Sequence, residues 1–324
     1  MKIVAISRVL DEADIVEAFV RHTAPYVDHH VLMDNGSQDG TLEILSSLQQ
    51  EGLPLSVFQN KCVSWNEANH LTFLFRHAVA SHAADWVTCL DVDEFLDDRR
   101  TIAGLADMLE NLAPEVSCLK LPVVEYIATS EDAVDENTVP IRIRKRREPA
   151  DNFKVLVRGG LTGIDTGIQD GSHGIKQGDH AGTTITQHDL RLAHYSERSP
   201  FQYIAKFVRG WSRVLAAGAA VTASGAAEHY MNPYEVLRSR PAEFLRNGRF
   251  MGFKNETPDL IDDPITYSGG CLRYTPNHDE AMRAVRSLMG TMHALALRHG
   301  ALLDAFPDVK QQVAEWDSQF SRIL

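Results

Sequence analysis

The chain has 324 residues, of which 44% are hydrophobic and 23% charged, a composition that predicts a globular protein with one large core or two domains. Its net charge of −12 argues against a nucleic-acid binder, which normally shows a basic excess. The four cysteines, Cys62, Cys89, Cys118 and Cys271, are scattered with no C-x-x-C spacing, so neither a disulfide framework nor a zinc site is expected, and a reducing compartment is the simpler setting.

Ile3 to Ser7 predicts a short buried strand, and residues 11–25 carry Ile15, Ala18, Phe19 and His22 at helical spacing. His30 to Met33 predicts a second strand, followed by the polar turn Asp34-Asn35-Gly36-Ser37. Leu42, Ile44, Leu45 and Leu48 predict a helix that stops near Gly52, and Leu55 to Phe58 a third strand. A helix over 66–83 and a strand from Trp86 to Leu90 continue the alternation, which implies a parallel sheet with right-handed crossovers.

Residues 116–127 predict a strand running into a loop, with Glu125 to Glu136 acidic and turn-like. Ile141 to Arg147 begins as an alternating pattern and is strongly basic. Most such runs are solvated faces; the alternative is a hold on an anionic acceptor or a membrane phosphate. Residues 159–188 contain Gly159, Gly160, Gly163, Gly167, Gly171, Gly174 and Gly178 with few large apolar groups, which predicts a loop-rich segment that closes over a site as a mobile lid.

Leu190 to Tyr195 predicts another strand, and Ser199-Pro200 an N-cap and N1 pair opening a helix that stops before Gly218. Asn232-Pro233 opens a further helix, and 277–299, ending at Gly300, and 308–322 predict two more. The expected fold class is therefore α/β: a Rossmann-like, mostly parallel sheet flanked by helices in residues 1–218, with a helical extension over 219–324. No basic segment followed by an apolar one opens the chain, and no apolar run is long enough to span a bilayer. A cytoplasmic enzyme with no transmembrane segment is expected, with peripheral membrane contact left open.

The stretch Asp85-Trp86-Val87-Thr88-Cys89-Leu90-Asp91-Val92-Asp93-Glu94-Phe95 carries the most chemistry. An apolar strand runs directly into Asp-x-Asp-Glu. Ligands bind beyond the carboxyl ends of strands in open α/β sheets, and two carboxylates one residue apart there can reach one hard cation. A cation so held neutralises charge on a diphosphate leaving group. The bland alternative is a solvated acidic turn at a helix start.

Asp34-Asn35-Gly36-Ser37-Gln38-Asp39-Gly40-Thr41 resembles the D-N-x-S-x-D-G-T segment of family 2 glycosyltransferases with the GT-A fold. Arg8, Asp11 and Glu12 stand where that family often has an R-D-E segment after the first strand. Asp91-Val92-Asp93-Glu94-Phe95 is similar to the D-x-D-E-F form of its branch related to family 92, and His194-Tyr195-Ser196-Glu197-Arg198-Ser199 with Lys206 to the H-Y-x-x-R-S…K segment of the same branch. The resemblance covers residues 1–210.

The resemblance implies Mn²⁺ or Mg²⁺ as cofactor, with Asp93 the main ligand, Asp91 on the metal or the ribose, and His194 completing the coordination. It implies a nucleotide-sugar donor, most simply a UDP-sugar, held by Arg8, Glu12, Asp34, Asn35, Asp91, Arg198 and Lys206. Asp34 is the expected contact to the base, while Ser37 and Asp39 read as structural and Asp39 as a cap for the helix near Thr41. A K-x-x-x-R segment, Lys154 and Arg158, is expected on the loop side of the site. The acceptor is a glycan, a lipid-linked sugar or a small molecule. Inversion at the anomeric carbon needs a carboxylate base, for which Glu94, Asp165, Asp170 and Asp179 are candidates, Asp170 first, with His173 beside the acceptor. Two other classes stay open: a sugar nucleotidyltransferase, although Ser7-Arg8-Val9-Leu10-Asp11 lacks that class's glycine-rich loop, and a catalytically silent nucleotide-binding module.

Overall fold

The computed structural model describes residues 1–102, 104–133, 135–148, 152–161, 166–176, 182–242, 259–276 and 279–319. Strand β1 (Ile3–Val9) lies at the centre of the sheet and is buried on both faces, because its side chains alternate. Ile3, Ala5 and Val9 face a core shared with helices α1 (Val16–Thr23) and α2 (Thr41–Gln50). Val4 and Ile6 face a second core with α3 (Glu67–His82). Strands β2 (His29–Asp34), β3 (Leu55–Gln59) and β4 (Trp86–Cys89) complete a parallel run ordered β3-β2-β1-β4. The α/β class and the helical C-terminal part are those read from the sequence.

The sheet departs from a simple doubly wound one beyond β4. Strand β5 (Glu94–Asp97) leaves the Asp-x-Asp turn, and α4 (Leu105–Glu110) leads to β6 (Val116–Ile127). After the short helix α5 (Val139–Arg142) and β7 (Lys145–Arg146), β8 (Asn152–Arg158) inserts antiparallel between β4 and β6. The expected loop from Glu125 is still strand to Ile127, and the expected alternation at Ile141 is a helical turn.

Other boundaries shift for local reasons. The helix expected from residue 11 starts at Val16, because Asp11 adopts a left-handed φ of 55° in the loop above it. Asp39 accepts from the Thr41 N–H at 3.0 Å and from the Ala13 N–H at 2.9 Å, tying the α2 start to the β1 loop, while Gly40 supplies a φ of 106° at the N-cap. Ser199 does cap α6 (Pro200–Ala216), accepting from the Gln202 N–H at 3.1 Å. Helices α7 (Ala219–Ala223) and α8 (Met231–Ser239) follow.

The long helix α9 (Glu280–Ala305) does not stop at Gly300. Leucines and alanines around Gly300 offset its cost of about 1 kcal/mol, and Pro307 ends the helix by disfavouring helical geometry at Phe306. Helix α10 (Pro307–Asp317) follows. Among the described residues no helix is long and apolar enough to cross a membrane.

Most of the basic run is tied inside the fold. Arg144 pairs with Asp262 at 3.3 Å, Arg146 with Asp263 at 2.6 Å and Lys145 with Glu131 at 2.7 Å. The first two, with backbone pairing, fasten the segment containing β13 (Ile261–Asp262) to β7. The same segment is held further on by Glu17, whose buried carboxylate accepts from the N–H groups of Arg273, Tyr274 and Thr275 at 2.7–2.8 Å.

His30 on β2 gives the fold a pH dependence. Its ring is buried, accepts or donates to Ser7 Oγ at 2.9 Å and meets Phe19 edge-on at 5.3 Å. Burial, and then His29, lowers its pKa from 6.5 to about 3. The folded state therefore disfavours the imidazolium. Its contribution is fully present above pH 6.5 and is lost as pH falls toward 3. Between pH 7.5 and 4.5, His30→Gln is expected to lose roughly 2–3 kcal/mol less stability than the parent chain. Urea midpoints at both pH values check this; equal losses in the two proteins would refute it.

Candidate functional site

A cavity of about 860 Å³ opens at the carboxyl ends of β1 and β4. Its walls bring together Arg8, Glu12, Asp91, Asp93, Glu94, Asp170, His173, His194 and Lys206 from the sequence expectations. Strand register assembles its centre. Strand β11 (Thr183–Thr186) runs parallel to β6, and β12 (Arg191–His194) runs antiparallel to β5, placing His194 opposite Glu94, and parallel to β6, placing it beside Glu125. Asp91 and Asp93 lie in the tight turn between β4 and β5, closed by Glu94 N–H donating to the Asp91 carbonyl at 2.9 Å.

Asp91, Asp93 and Glu94 each have a cation beside them. The Lys206 ammonium, from α6, binds Asp93 Oδ2, and His194 Nε2 stands 3.5 Å from the same oxygen. The other ring nitrogen of His194 is bound by Glu125. On Asp93, burial raises the pKa, but Lys206, His194 and Arg198 together outweigh it and hold the carboxyl well below the usual range. Burial lowers the His194 pKa, yet Glu125 and Asp93 push it up to about 10. Lys154, from β8, binds Asp91 and stands 3.4 Å from Glu94. Glu94 also accepts from the Asp91 N–H at 3.0 Å, and burial, opposed by Lys154, pushes its carboxyl up to about 7.

The metal expectation can be tested on these donors. Two ligands roughly 2.1 Å from one ion at right angles are about 3 Å apart. Asp93 Oδ2 and His194 Nε2, at 3.5 Å, fit that requirement. Glu125 behind the imidazole is the carboxylate–histidine arrangement that orients metal-binding histidines. Asp91 is instead drawn to Lys154, and among the described residues no group of three His, Cys, Asp or Glu side chains is gathered in ligand geometry. The donor set fits a divalent cation through two of its three expected members.

Several expected ligand contacts lie behind the cavity wall. Asp34 is buried, accepting from the Gly36 and Ser37 N–H groups at 3.1 Å and from Gln59 at 3.0 Å. Asn35 bonds Asn60, Cys62 and the Arg213 guanidinium. Neither lines the cavity. They shape the loops around it. Arg198 is a second correction. Its side chain is fully enclosed, held by Glu12, by Asp14 at 2.6 Å and by the Tyr195 carbonyl at 3.1 Å. It clamps the β1 loop to the end of β12 and presents no surface to a ligand. Arg158 likewise sits at the far end of β8, 4.4 Å over the Trp86 ring.

Asp170 and His173 belong to the turn between β9 (Gly167–Ile168) and β10 (Ile175–Lys176). The described part of the expected lid is well anchored. Ile168 is buried, Gly171 N–H donates to Glu67 at 3.0 Å, and His173 Nδ1 meets the Phe153 carbonyl at 2.7 Å. One Asp170 oxygen accepts from Ala68 N–H in the first turn of α3 at 2.9 Å. Asp165 and Asp179 lie outside the described residues.

Sequence reasoning missed Glu125, Glu67, Trp65, Arg213 and Tyr230, all on the wall. Arg8 pairs with Glu67 at 2.9 Å beneath Trp65. Tyr230 can pack on α6 because position 210 is glycine; a Cβ there would lie 2.5 Å from its ring. Only Glu125 carried a sequence signal, an acid at the end of an apolar strand.

Residues 10–162 match the family described as Glycosyl transferase family 2. Among solved structures, the mannosyltransferase PcManGT from Pyrobaculum calidifontis, in complex with GDP-Man and Mn²⁺, is similar at 14% identity over 97% of this chain and 83% of that one, with a TM-score of 0.41. Glucosyl-3-phosphoglycerate synthase from Mycobacterium tuberculosis, with Mn²⁺, UDP and phosphoglyceric acid, is similar at 12% identity over 70% and 78%, with a TM-score of 0.37. A 4-diphosphocytidyl-2C-methyl-D-erythritol synthase is similar at 15% identity over 58% and 88%, with a TM-score of 0.30. No curated protein matches.

Proposed function

We propose that the protein transfers a sugar from a nucleotide-diphosphate donor, most simply a UDP-sugar, to a hydroxyl of a glycan, lipid-linked or small acceptor, inverting the anomeric carbon. The observation that carries this reading is the cavity at the β4 end, where Asp91, Asp93 and His194 face Arg8, Lys154 and Lys206. The family match over 10–162 supports the same chemistry.

Asp93 and His194 would hold Mn²⁺ or Mg²⁺, with Asp91 recruited from Lys154. When bound, that cation supplies positive charge to the leaving diphosphate. Lys206 and Arg8, both on the wall, are placed to hold diphosphate oxygens as fixed cations. Glu94 orients the Asp-x-Asp turn through the Asp91 N–H. Asp170 is the base: one oxygen is anchored at the start of α3, and the other makes no hydrogen bond among the described residues. It takes the acceptor's hydroxyl proton as that oxygen bonds to the anomeric carbon and the C–O bond to the diphosphate breaks, the electron pair leaving on the diphosphate. His173 lies beside it in the acceptor half.

Incubation with radiolabelled UDP-sugars and Mn²⁺ tests the reading. Slow release of UDP and free sugar, suppressed by EDTA, is expected. Pyrophosphate release from UTP and a sugar 1-phosphate would favour a nucleotidyltransferase instead. Asp170→Asn is expected to lower kcat roughly 10²–10⁴-fold with little change in donor KM, as loss of a general base does. A steady-state kinetic comparison decides; unchanged kcat would remove Asp170 from the mechanism.

A further inference from the structure

Helix α9 is joined to the rest of the protein through polar contacts. Among the described residues Ser287 is the one α9 residue that is buried, at 2% exposure, and no α9 side chain belongs to the apolar cores. The Ser287 hydroxyl accepts from Arg209 Nη1 at 2.7 Å and donates to Asp11 Oδ2 at 2.6 Å. Arg209 Nη1 also donates to Asp11 Oδ2 at 3.0 Å, which closes a joint between α9, α6 and the loop after β1. A small cavity of about 30 Å³ lies at this joint, lined in part by Lys206, Arg209 and Glu280, and has room for a water.

The loop residue at the joint is a backbone outlier. Asp11 holds a left-handed φ of 55°, which residues other than glycine seldom adopt. Such a conformation persists where its surroundings over-determine it. Here the Asp11 N–H donates to Ser37 Oγ at 2.9 Å, Asp11 Oδ1 accepts from the Gln38 N–H at 2.6 Å, and Arg209 Nη2 donates to the Leu10 carbonyl at 2.8 Å. The residues on either side of Asp11, Leu10 and Glu12, line the large cavity, as do Arg209 and Lys206; Ser287 does not. Lys206, about one turn before Arg209 on α6, is the cation on Asp93.

We propose that Ser287 is a positioning residue for donor binding. Through Asp11 and Arg209 it holds the β1 loop and α6 in the shape that receives the nucleotide diphosphate, so the C-terminal helix serves the site without touching the ligand. The inference rests on the donor reading above. A hydroxyl that bridges two charged groups strengthens the equilibrium it supports by roughly 3–10-fold. By reciprocity, a donor that binds the shaped loop must tighten the joint by a comparable factor. Since the joint lies outside the apolar cores, its loss should cost affinity rather than fold.

Calorimetric titration of UDP with Mn²⁺ into the parent chain, Ser287→Ala and Ser287→Leu, alongside urea unfolding and hydrogen exchange, is the test. Affinity is expected to fall roughly 3–10-fold in Ser287→Ala at an unchanged urea midpoint, and further in Ser287→Leu, whose bulk the buried joint does not admit. In the parent chain, saturating UDP and Mn²⁺ should slow exchange of the α9 amides around Ser287, and a serine with only a structural role would not produce this slowing. That measurement needs no variant and decides even if both substitutions misfold. A parent chain that binds no UDP ends the donor reading and this inference with it. A parent chain that binds UDP, with equal affinity in folded Ser287→Ala or with α9 exchange unmoved by the ligand, leaves the donor reading standing and overturns the role of Ser287.

Discussion

Asp93→Asn is expected to weaken Mn²⁺-dependent UDP binding on the order of 100-fold or more, equivalent to roughly 2.7 kcal/mol, and at the same time to destabilise the fold. The second effect follows from the site's electrostatics. Asp93 is the shared anion for Lys206, His194 and Arg198, and removing one member of a buried ion cluster leaves the others uncompensated at roughly 3–5 kcal/mol. Loss of binding alone would therefore not separate a missing ligand from a damaged site. Asp93→Asn combined with Lys206→Met removes the anion and its main cation together, so most of the stability should return while binding stays lost. Calorimetric titration with UDP and Mn²⁺, alongside urea unfolding, reads both. Undiminished affinity in a folded Asp93→Asn protein would end the assignment of Asp93 to the metal.

Arg198→Lys is expected to behave as a stability variant, not a ligand-binding one. The guanidinium joins Glu12, Asp14 and the Tyr195 carbonyl in one enclosed cluster. A lysine offers one compact charge in place of a planar fork and cannot meet all three partners. A loss of roughly 3–5 kcal/mol in unfolding free energy is expected. Donor KM in the surviving folded protein should change less than about tenfold, because no part of the side chain reaches the cavity. A normal unfolding midpoint with a large rise in donor KM would restore the diphosphate contact that the sequence suggested.

These two residues show what the sequence can carry. Asp91 to Glu94 could be placed because an apolar strand ending in acids has few structural explanations, and Ser199-Pro200 because helix caps are local chemistry. The alternation of strands and helices through residue 90 likewise depends on spacing within single elements. Glu125 could not be paired with His194, since their contact arises from the parallel register of β6 and β12, 69 residues apart. Asp34 and Asn35 stand at a strand end in a ligand-like motif, but Gln59 and Arg213 close over them from other elements. The same holds for Arg198: its type and motif suggest an anion ligand, and only the folded environment shows that the anions are the protein's own.

A crystal structure with UDP and Mn²⁺ tests the central claim most directly. One ion is expected on the Asp93 carboxylate and His194 Nε2 at roughly 2.0–2.3 Å, with the diphosphate on the same ion and Lys206 displaced from Asp93. A diphosphate held by Lys154 and Lys206 with no ion between it and Asp93, or UDP bound outside this cavity, would contradict it.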